Sequence, residues 1–466
     1  MLNLARFPLL KTEPWEHQRI GGRLIEDQPG TLLAHDMGTG KTKTTIDAIV
    51  NLDCRRVLIL CPCAVLDVWP SEFEKHAAFL PSELEVVLLT GPIAKRAERI
   101  TRISRAPRTV FVTNYEALVS KAFVAAATQP WDMLVCDECH RVKAPGGVHS
   151  WAVTRIAKQA KRRVGLSGTP MTDRPMDAYA QFRFLDQRVF GKSFARHRNR
   201  YAIMGGFQGR QIVSYQNQDE FKMLFHSITH VVRKRDVLDL PPVIHETRAV
   251  PLEPKAMQTY IEIEADFWAW VDEVGEVSAA NALVKMLRLQ QITSGFLRTE
   301  TGVSVSIGSA KRKELENVFE SLAPDEPVVV FCRFRHDLMA IREAADNAGR
   351  ECAELSGTAN ELTEWKQSTG PTVLAVQIQS GSLGIDLTRA AYCVFYSTGF
   401  SLGEYEQALA RVDRPGQTRS VTYIHLLATG TIDVKVHKAF RDKKNVIEEI
   451  LKARNDDERV KALAHT

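Results

Sequence analysis

A lysine and a threonine behind two closely spaced glycines, in His35-Asp-Met-Gly-Thr-Gly-Lys-Thr42, are the residues of this chain best suited to hold phosphate. A short apolar run, Thr31-Leu-Leu-Ala34, precedes them and reads as a buried strand. Lys43-Thr-Thr-Ile-Asp-Ala-Ile-Val50 follows, with apolar residues at helical spacing. A glycine-rich turn between strand and helix aims backbone N–H groups, and the positive end of the helix dipole, at one spot. Gly38, Thr39 and Gly40 would cradle the phosphates, Lys41 would reach the terminal ones, and the Thr42 hydroxyl would ligate Mg²⁺. His35 occupies the position where the strict pattern has its first glycine.

Two further clusters suit the same chemistry. Asp137-Glu138 ends the apolar run Met133-Leu-Val-Cys136. Adjacent carboxylates at a buried strand end are costly unless a cation compensates. Asp137 would hold Mg²⁺, and Glu138 would polarise an attacking water. Ser167-Gly-Thr-Pro170 closes another apolar run with a tight polar turn fit to sense a terminal phosphate. Upstream, Gln18 carries an amide able to read an adenine edge.

The elements that position these groups are apolar runs alternating with helical stretches: Val57–Leu60, Val86–Leu89, Thr109–Thr113, Met133–Cys136 and Val164–Leu166. Continuous β-branched runs of this kind predict a parallel sheet covered on both faces, with ligands beyond the carboxyl ends of its strands. The alternation resumes at Val328–Cys332, Thr372–Val376, Tyr392–Phe395 and Thr422–Leu427, predicting a second sheet of the same type without a phosphate loop. The fold class expected is α/β, two tandem RecA-like parallel-sheet lobes with a helical protrusion. A length of 466 residues suits two domains.

Composition narrows the class. The net charge of +5 permits nucleic-acid binding without demanding it, and no apolar run is long enough to span a membrane. The N-terminus lacks a basic n-region and a continuous apolar core, so a cytoplasmic protein is expected. Cys136-Asp-Glu-Cys139-His140 matches the haem-attachment string, and Cys61, Cys63, Cys136 and Cys139 could on paper form a zinc site. Both are set aside, because the cysteines lie in strand-like runs of a chain with no export signal.

Taken in order, Asp-Met-Gly-Thr-Gly-Lys-Thr42, Cys61-Pro62 with Trp69 and Glu72, Thr113-Asn-Tyr-Glu116, Asp137-Glu-Cys-His140 and Leu166-Ser-Gly-Thr-Pro170 resemble successive motifs of superfamily-two helicases. They resemble most closely those of the Swi/Snf-type DNA translocases, in a compact form that suits a phage or bacterium. Ser380-Gly-Ser-Leu-Gly-Ile-Asp-Leu387 resembles the fifth motif of that family, and Gln407-Ala-Leu-Ala-Arg-Val-Asp-Arg-Pro-Gly-Gln417 the sixth. Asp413 stands where the family usually has His, Ser167 where Thr is commoner, and Trp365 where Phe is usual.

The resemblance implies roles and boundaries. Gly384 and Asp386 would border nucleotide and ribose, and Arg411 and Arg414, on one face of a helix end, would serve as arginine fingers. His140, Ser167, Gly168, Thr169 and Gln407 would couple nucleotide state to movement. Pro62, Thr113, Asn114, Lys143, Arg333 and Ser380 would meet nucleic acid. Residues 1–240 would form the nucleotide-binding lobe, with a basic helical segment near 180–235. Residues 241–466 would form the second lobe, with a helical protrusion at about 254–300 and a charged C-terminal helix at about 431–466. The basic run Lys95–Arg108 reads as a solvated helix face.

The function implied is an ATP- and Mg²⁺-dependent motor moving along double-stranded DNA, a monomer in isolation with protein partners for targeting. The alternatives are a strand-separating DNA or RNA helicase, the motor subunit of a larger nuclease or remodelling complex, and a non-enzymatic ATP-gated binding switch.

Overall fold

The computed structural model describes residues 10–438, 440 and 441, apart from 81, 103–105, 169–174, 206–210, 275–278, 300–302, 368 and 380–384. The chain divides into two compact units between Leu238 and Asp239. The first holds a seven-stranded sheet made of β1 (Gly30–His35), β2 (Arg56–Cys61), β3 (Leu84–Leu88), β4 (Arg108–Asn114), β5 (Trp131–Asp137), β6 (Ala160–Leu166) and β7 (Thr229–Val232). Its order is β3-β4-β2-β5-β6-β1-β7, and every neighbouring pair is parallel.

β2 explains why these strands are continuous apolar runs. Leu58 and Leu60 enter one core with Phe111 and Leu134, while Val57, Ile59 and Cys61 enter the other with Val110 and Val135. With both faces covered there is no polar face to alternate with. Each such side chain contributes about 1.5–3 kcal/mol on burial. The helices α1 (Glu16–Asp27), α2 (Lys41–Asn51) and α3 (Val68–His76) cover one face through Ile25, Ile46 and Trp69. The opposite face is covered by α5 (Lys121–Ala127), α6 (Val148–Ala157) and α7 (Ala178–Leu185) through Phe123, Val153 and Phe182, whereas α4 (Ile93–Arg99) buries no residue.

The second unit repeats the scheme with six parallel strands: β8 (Val243–Val250), β9 (Val328–Cys332), β10 (Cys352–Leu355), β11 (Val373–Gln377), β12 (Tyr392–Phe395) and β13 (Val421–Ala428). Their order is β8-β13-β12-β9-β11-β10. Val328, Val330 and Cys332 enter one core, and Val329 and Phe331 the other. The expected α/β class with two parallel-sheet lobes is thus the observed one.

Several elements depart from the sequence reading. β7, β8 and β10 were not anticipated. β7 is a four-residue edge strand leading into the basic run Arg233–Arg235, and most of β8 is exposed, so neither shows a buried apolar pattern. The segment near 180–235 is not purely helical. Ala202–Gly205 pairs antiparallel with Gln211–Tyr215, and the segment buries Phe190, Tyr201, Phe221 and Phe225. In the 254–300 stretch, helices Pro254–Val274 and Ala279–Thr293 give way to a strand, Phe296–Arg298, paired with Ser304–Ser306. Phe296 is buried there and stacks on His336 with ring centroids 4.3 Å apart. Most of the expected C-terminal helix, from residue 442 on, lies outside the described residues. Among the described residues no helix is long and apolar enough to cross a membrane.

Candidate functional site

β1 delivers the chain, at the carboxyl edge of the first sheet, into the loop that the sequence singles out. Gly38 and Gly40 sit at φ 83° and 84°, a region that L side chains rarely adopt. A Cβ on Gly40 would also lie 2.2 Å from Gln18 Nε2, so the position excludes side chains twice over. Thr39 closes the turn from within, its hydroxyl donating to the Asp36 carbonyl at 2.7 Å. Gly40 caps α2 with no side-chain hydrogen bond, and the first turn of that helix holds no carboxylate. The exposed N–H groups and dipole are left for an external anion.

Lys41 donates from Nζ to the carbonyls of His35 (2.7 Å) and Asp36 (3.3 Å). Burial lowers its pKa, and Glu138, Asp137 and Asp36 work in the opposite direction. Asp137, at the end of β5, has its pKa raised to about 7, first by burial and second by Glu138. Trp69 Nε1 (3.3 Å) and the Glu138 amide (3.0 Å) donate to its carboxylate. A half-buried lysine and a half-buried, reluctantly ionised carboxylate form a donor set that a polyphosphate with its divalent cation would fit: the lysine would take anionic oxygens, and Asp137 and Thr42 would take the cation.

Glu138 adopts φ 50° and ψ 52°, a left-handed conformation that costs about 1–3 kcal/mol for a non-glycine residue. This turn swings Glu138 beside His140, whose Nδ1 lies 3.3 Å from Glu138 Oε2 and 3.2 Å from Ser167 Oγ. One imidazole therefore joins the carboxylate at the end of β5 to the turn after β6. Gly168 leads on from Ser167, while Thr169 lies outside the described residues. Burial pushes the thiols of Cys61, Cys136 and Cys139 upward, as expected of core cysteines.

Sequence reasoning missed the support beneath the loop. His17 Nε2 sits 2.8 Å from the Thr39 carbonyl, next to the Gln18 Nε2 contact with the same oxygen at 3.2 Å. The other end of the Gln18 amide accepts the Trp15 N–H at 2.9 Å. Gln18 is therefore a brace of the loop, with both amide atoms engaged. The Lys234 amide donates to Asp36 at 2.9 Å, so the basic segment 233–235 begins beside the phosphate loop. The adjacent His17 and Gln18 were the one available signal.

The residues expected to meet nucleic acid lie in contrasting settings. Pro62 and Thr113 are buried at the ends of β2 and β4, and Thr113 Oγ1 donates to the Leu89 carbonyl at 3.4 Å. Asn114 is 7% exposed and its Oδ1 accepts from Arg96 Nη1 at 2.7 Å. The strand ends point these side chains inward, and the half-exposed Arg96 is the group presented outward. Its Nε is fixed on the Gly91 carbonyl at 2.8 Å. Arg96 thus ties α4 to the end of β4, while the helix itself buries no residue. Lys143 lies 3.7 Å from Asp177.

In the second unit the two late motifs lie together. Arg414 Nη1 donates to the Ile385 carbonyl (3.1 Å), the Leu387 amide donates to the Arg411 carbonyl (3.1 Å), and Gln417 Nε2 donates to the Ala390 carbonyl (2.8 Å). Asp386 accepts from both the amide and the hydroxyl of Thr388, which help to hold its pKa below the ordinary value against desolvation. The helix carrying Gln407 ends at Leu409, so Arg411 and Arg414 sit on the turns after it rather than on a helical face. Arg411 is buried and Arg414 half-buried. Arg333 lies over Phe400 (5.3 Å) and Phe334 (5.8 Å), and its half-buried guanidinium has a lowered pKa from desolvation. Ser380 and Gly384 lie outside the described residues.

Comparison with known proteins supplies the context. A family model described as SNF2-related domain matches residues 16–295, more than half of the chain, and a helicase conserved C-terminal domain matches 310–416. The chain is 27% identical over 463 residues to putative protein p41 of Acyrthosiphon pisum secondary endosymbiont phage 1, covering 94% of this chain and 97% of that protein. It is 24% identical over 467 residues to a putative ATP-dependent helicase/translocase of Bacillus subtilis (strain 168), covering 93% of this chain but 48% of that protein. The chain thus spans nearly all of the phage relative and about half of the bacterial one. A solved SWI2/SNF2 ATPase core of Sulfolobus solfataricus in complex with dsDNA aligns at 21% identity over 96% of this chain and 94% of that chain, with a TM-score of 0.45.

Proposed function

The chain belongs to the SNF2-related family of helicase-type ATP hydrolases, and on that premise we propose that it is a nucleic-acid-stimulated motor acting on double-stranded DNA. The observation that carries the reading is the Glu138–His140–Ser167 connection, which links the general base to the turn that follows β6. A protein that merely bound ATP would have no use for a strained carboxylate tied to such a turn.

In this reading Gly38, Thr39, Gly40 and Lys41 hold the triphosphate, Thr42 and Asp137 hold Mg²⁺, and Glu138 orients the attacking water. Arg411 and Arg414, braced with Asp386 on the second lobe, complete the site and stabilise charge developing on the transferred phosphoryl. Gly384 borders the nucleotide. Ser167, Gly168, Thr169 and Gln407 pass its state on as the lobes close and separate, and each cycle advances the protein along one strand. Lys143, Arg333, Ser380 and Arg96 face the track. The protein acts in the cytoplasm as a monomer, with targeting left to partners.

The test is ATP hydrolysis measured with duplex DNA, single-stranded DNA and RNA at one fixed salt concentration, because phosphate contacts make such binding salt-dependent. Duplex DNA should stimulate most. A triplex-forming strand should then be displaced while an ordinary duplex stays paired. Release of the duplex strands would favour a true helicase, and no stimulation by any nucleic acid would refute the motor.

A further inference from the structure

The stretch from residue 139 to 172 holds seven Lys and Arg and not one Asp or Glu in thirty-four residues. Five of the seven cations are spoken for. Arg141 pairs with Glu116, Lys143 with Asp177 and Lys161 with Asp132. Arg162 donates to the Ile25 and Gln28 carbonyls, and Arg163 to that of Pro29. Arg155 and Lys158 remain, and among the described residues neither has an ion pair or hydrogen bond.

Arg155 lies on the outer face of α6 four residues after Trp151, and Lys158, the C-cap of the helix, lies four residues after Thr154. The inner face of the helix is sealed into the core by Ala152, Val153 and Ile156. Trp151 is 54% exposed, an unusual position for an indole, and Arg155 lies over its ring at 5.6 Å. Together with Arg183 from α7, these residues line a cleft of about 410 Å³. Arg183 is held rigidly by the Pro145 carbonyl (2.8 Å) and Ser150 Oγ (2.7 Å), and its buried Nε has no partner among the described residues.

The cleft is not an extension of the phosphate loop. α6 ends at Ala157, three residues before β6 begins, and β6 runs parallel to β1. The C-terminal end of α6 therefore sits at the amino edge of the sheet, whereas the phosphate loop leaves the carboxyl edge.

We propose that this cleft is a second nucleic-acid site, which seats an unpaired nucleotide of a single strand with its base on Trp151 and its flanking phosphates on Arg155, Lys158 and Arg183. An exposed indole offers a stacking face that any base can use, and the surrounding cations track a backbone. The volume falls in the range that takes a ligand of nucleotide size. A duplex cannot offer its base faces here, so the site favours single strands.

The test is fluorescence anisotropy of a labelled oligothymidylate of about twenty nucleotides with the full-length protein, without ATP. W151A should weaken binding about tenfold, the loss expected for one stacked base, while W151F retains most of the affinity. R155E/K158E should weaken binding and flatten its salt dependence by between one and two units of the log–log slope. Duplex-stimulated ATP hydrolysis should stay within about twofold of wild type in W151A, which separates this site from the motor track. Unchanged affinity in W151A, or W151F as weak as W151A, would overturn the proposal. So would displacement of the oligonucleotide by polyglutamate more readily than by unlabelled oligothymidylate, which would indicate an acidic protein segment instead. A motor that fails to be stimulated by nucleic acid would appear in the wild type and leave these comparisons intact.

Discussion

The two lobes share a parallel sheet, yet they treat the same structural opportunity in opposite ways. In each, an interior strand runs directly into a helix, and the N-terminus of that helix could bind an anion. In the first lobe the connection is Asp36–Gly40, two of its glycines at positive φ and no carboxylate in the first turn of α2. In the second, β9 is followed by Arg333 and Phe334, and the chain fills the position itself. Asp337 accepts the Phe334 amide at 3.0 Å and the Ser397 hydroxyl, and Ser397 in turn accepts the Arg333 amide at 2.8 Å. Burial raises Asp337 to about 6 despite these bonds. One helix end carries no capping side chain or carboxylate of its own, and the other is closed by a resident carboxylate. The lesson is that the second lobe fills with its own carboxylate the position that the first lobe leaves without one.

That contrast can be broken at several points. The largest effect is expected in R411A and R414A, which should lower ATP turnover by about a thousandfold or more while ATP binding persists. Nucleotide affinity and turnover, measured separately, check this; parallel loss of both would place the arginines in ground-state binding. D337A should act in the reverse sense. It leaves the Phe334 amide and the Ser397 hydroxyl without their partner, destabilising the second lobe by about 1–3 kcal/mol in denaturant melts with ATP affinity unchanged. S167A removes the hydroxyl that ties His140 to the turn after β6. It should reduce nucleic-acid stimulation of hydrolysis by about tenfold while basal hydrolysis is retained, a loss the size of one hydrogen bond. R96A should weaken DNA binding severalfold and reduce its salt slope by about one.

The smallest effect concerns acid, and here the lobes should agree. His197 is buried among Phe190, Tyr201 and Tyr179, with its pKa lowered to about 4 by desolvation. His425 is lowered to about 3 by burial first and by His437 second, with its Nε2 2.8 Å from Tyr405 Oη. A histidine held neutral in the fold but protonated in the unfolded chain contributes stability above about pH 6.5, which is lost as pH falls toward the folded value. Melting temperature should decline between about pH 6.5 and 4, and H197F should flatten part of that decline. A variant that tracked wild type would show that His197 is protonated in place.

How much of this was legible beforehand follows from how local each signal is. Gly38–Thr42 and Asp137–Glu138 could be read because strand, turn and helix are contiguous in sequence, and a fixed spacing carries the geometry. Arg411 and Arg414 were found by the spacing of their motif, but their placement beyond the helix end was not, because the helix stops at Leu409, ahead of the Pro415-Gly416 pair that would mark a break. Arg96 binds Asn114 across eighteen residues, and Lys234 reaches Asp36 across almost two hundred, so neither contact leaves a periodic trace. β7 is a strand only because β1 offers it an edge. The Asp337 cap escaped notice because an aspartate three residues into a helix is common on solvated surfaces, and only its complete burial distinguishes it.

The central claim is that the uncapped helix end of the first lobe is where ATP is held for a nucleic-acid-driven reaction. Steady-state ATP hydrolysis by wild type and K41A, with and without duplex DNA at fixed salt, tests it most directly. The account predicts strong stimulation of the wild type by duplex DNA and hydrolysis by K41A indistinguishable from background under both conditions. DNA-stimulated hydrolysis that survived in K41A would contradict it.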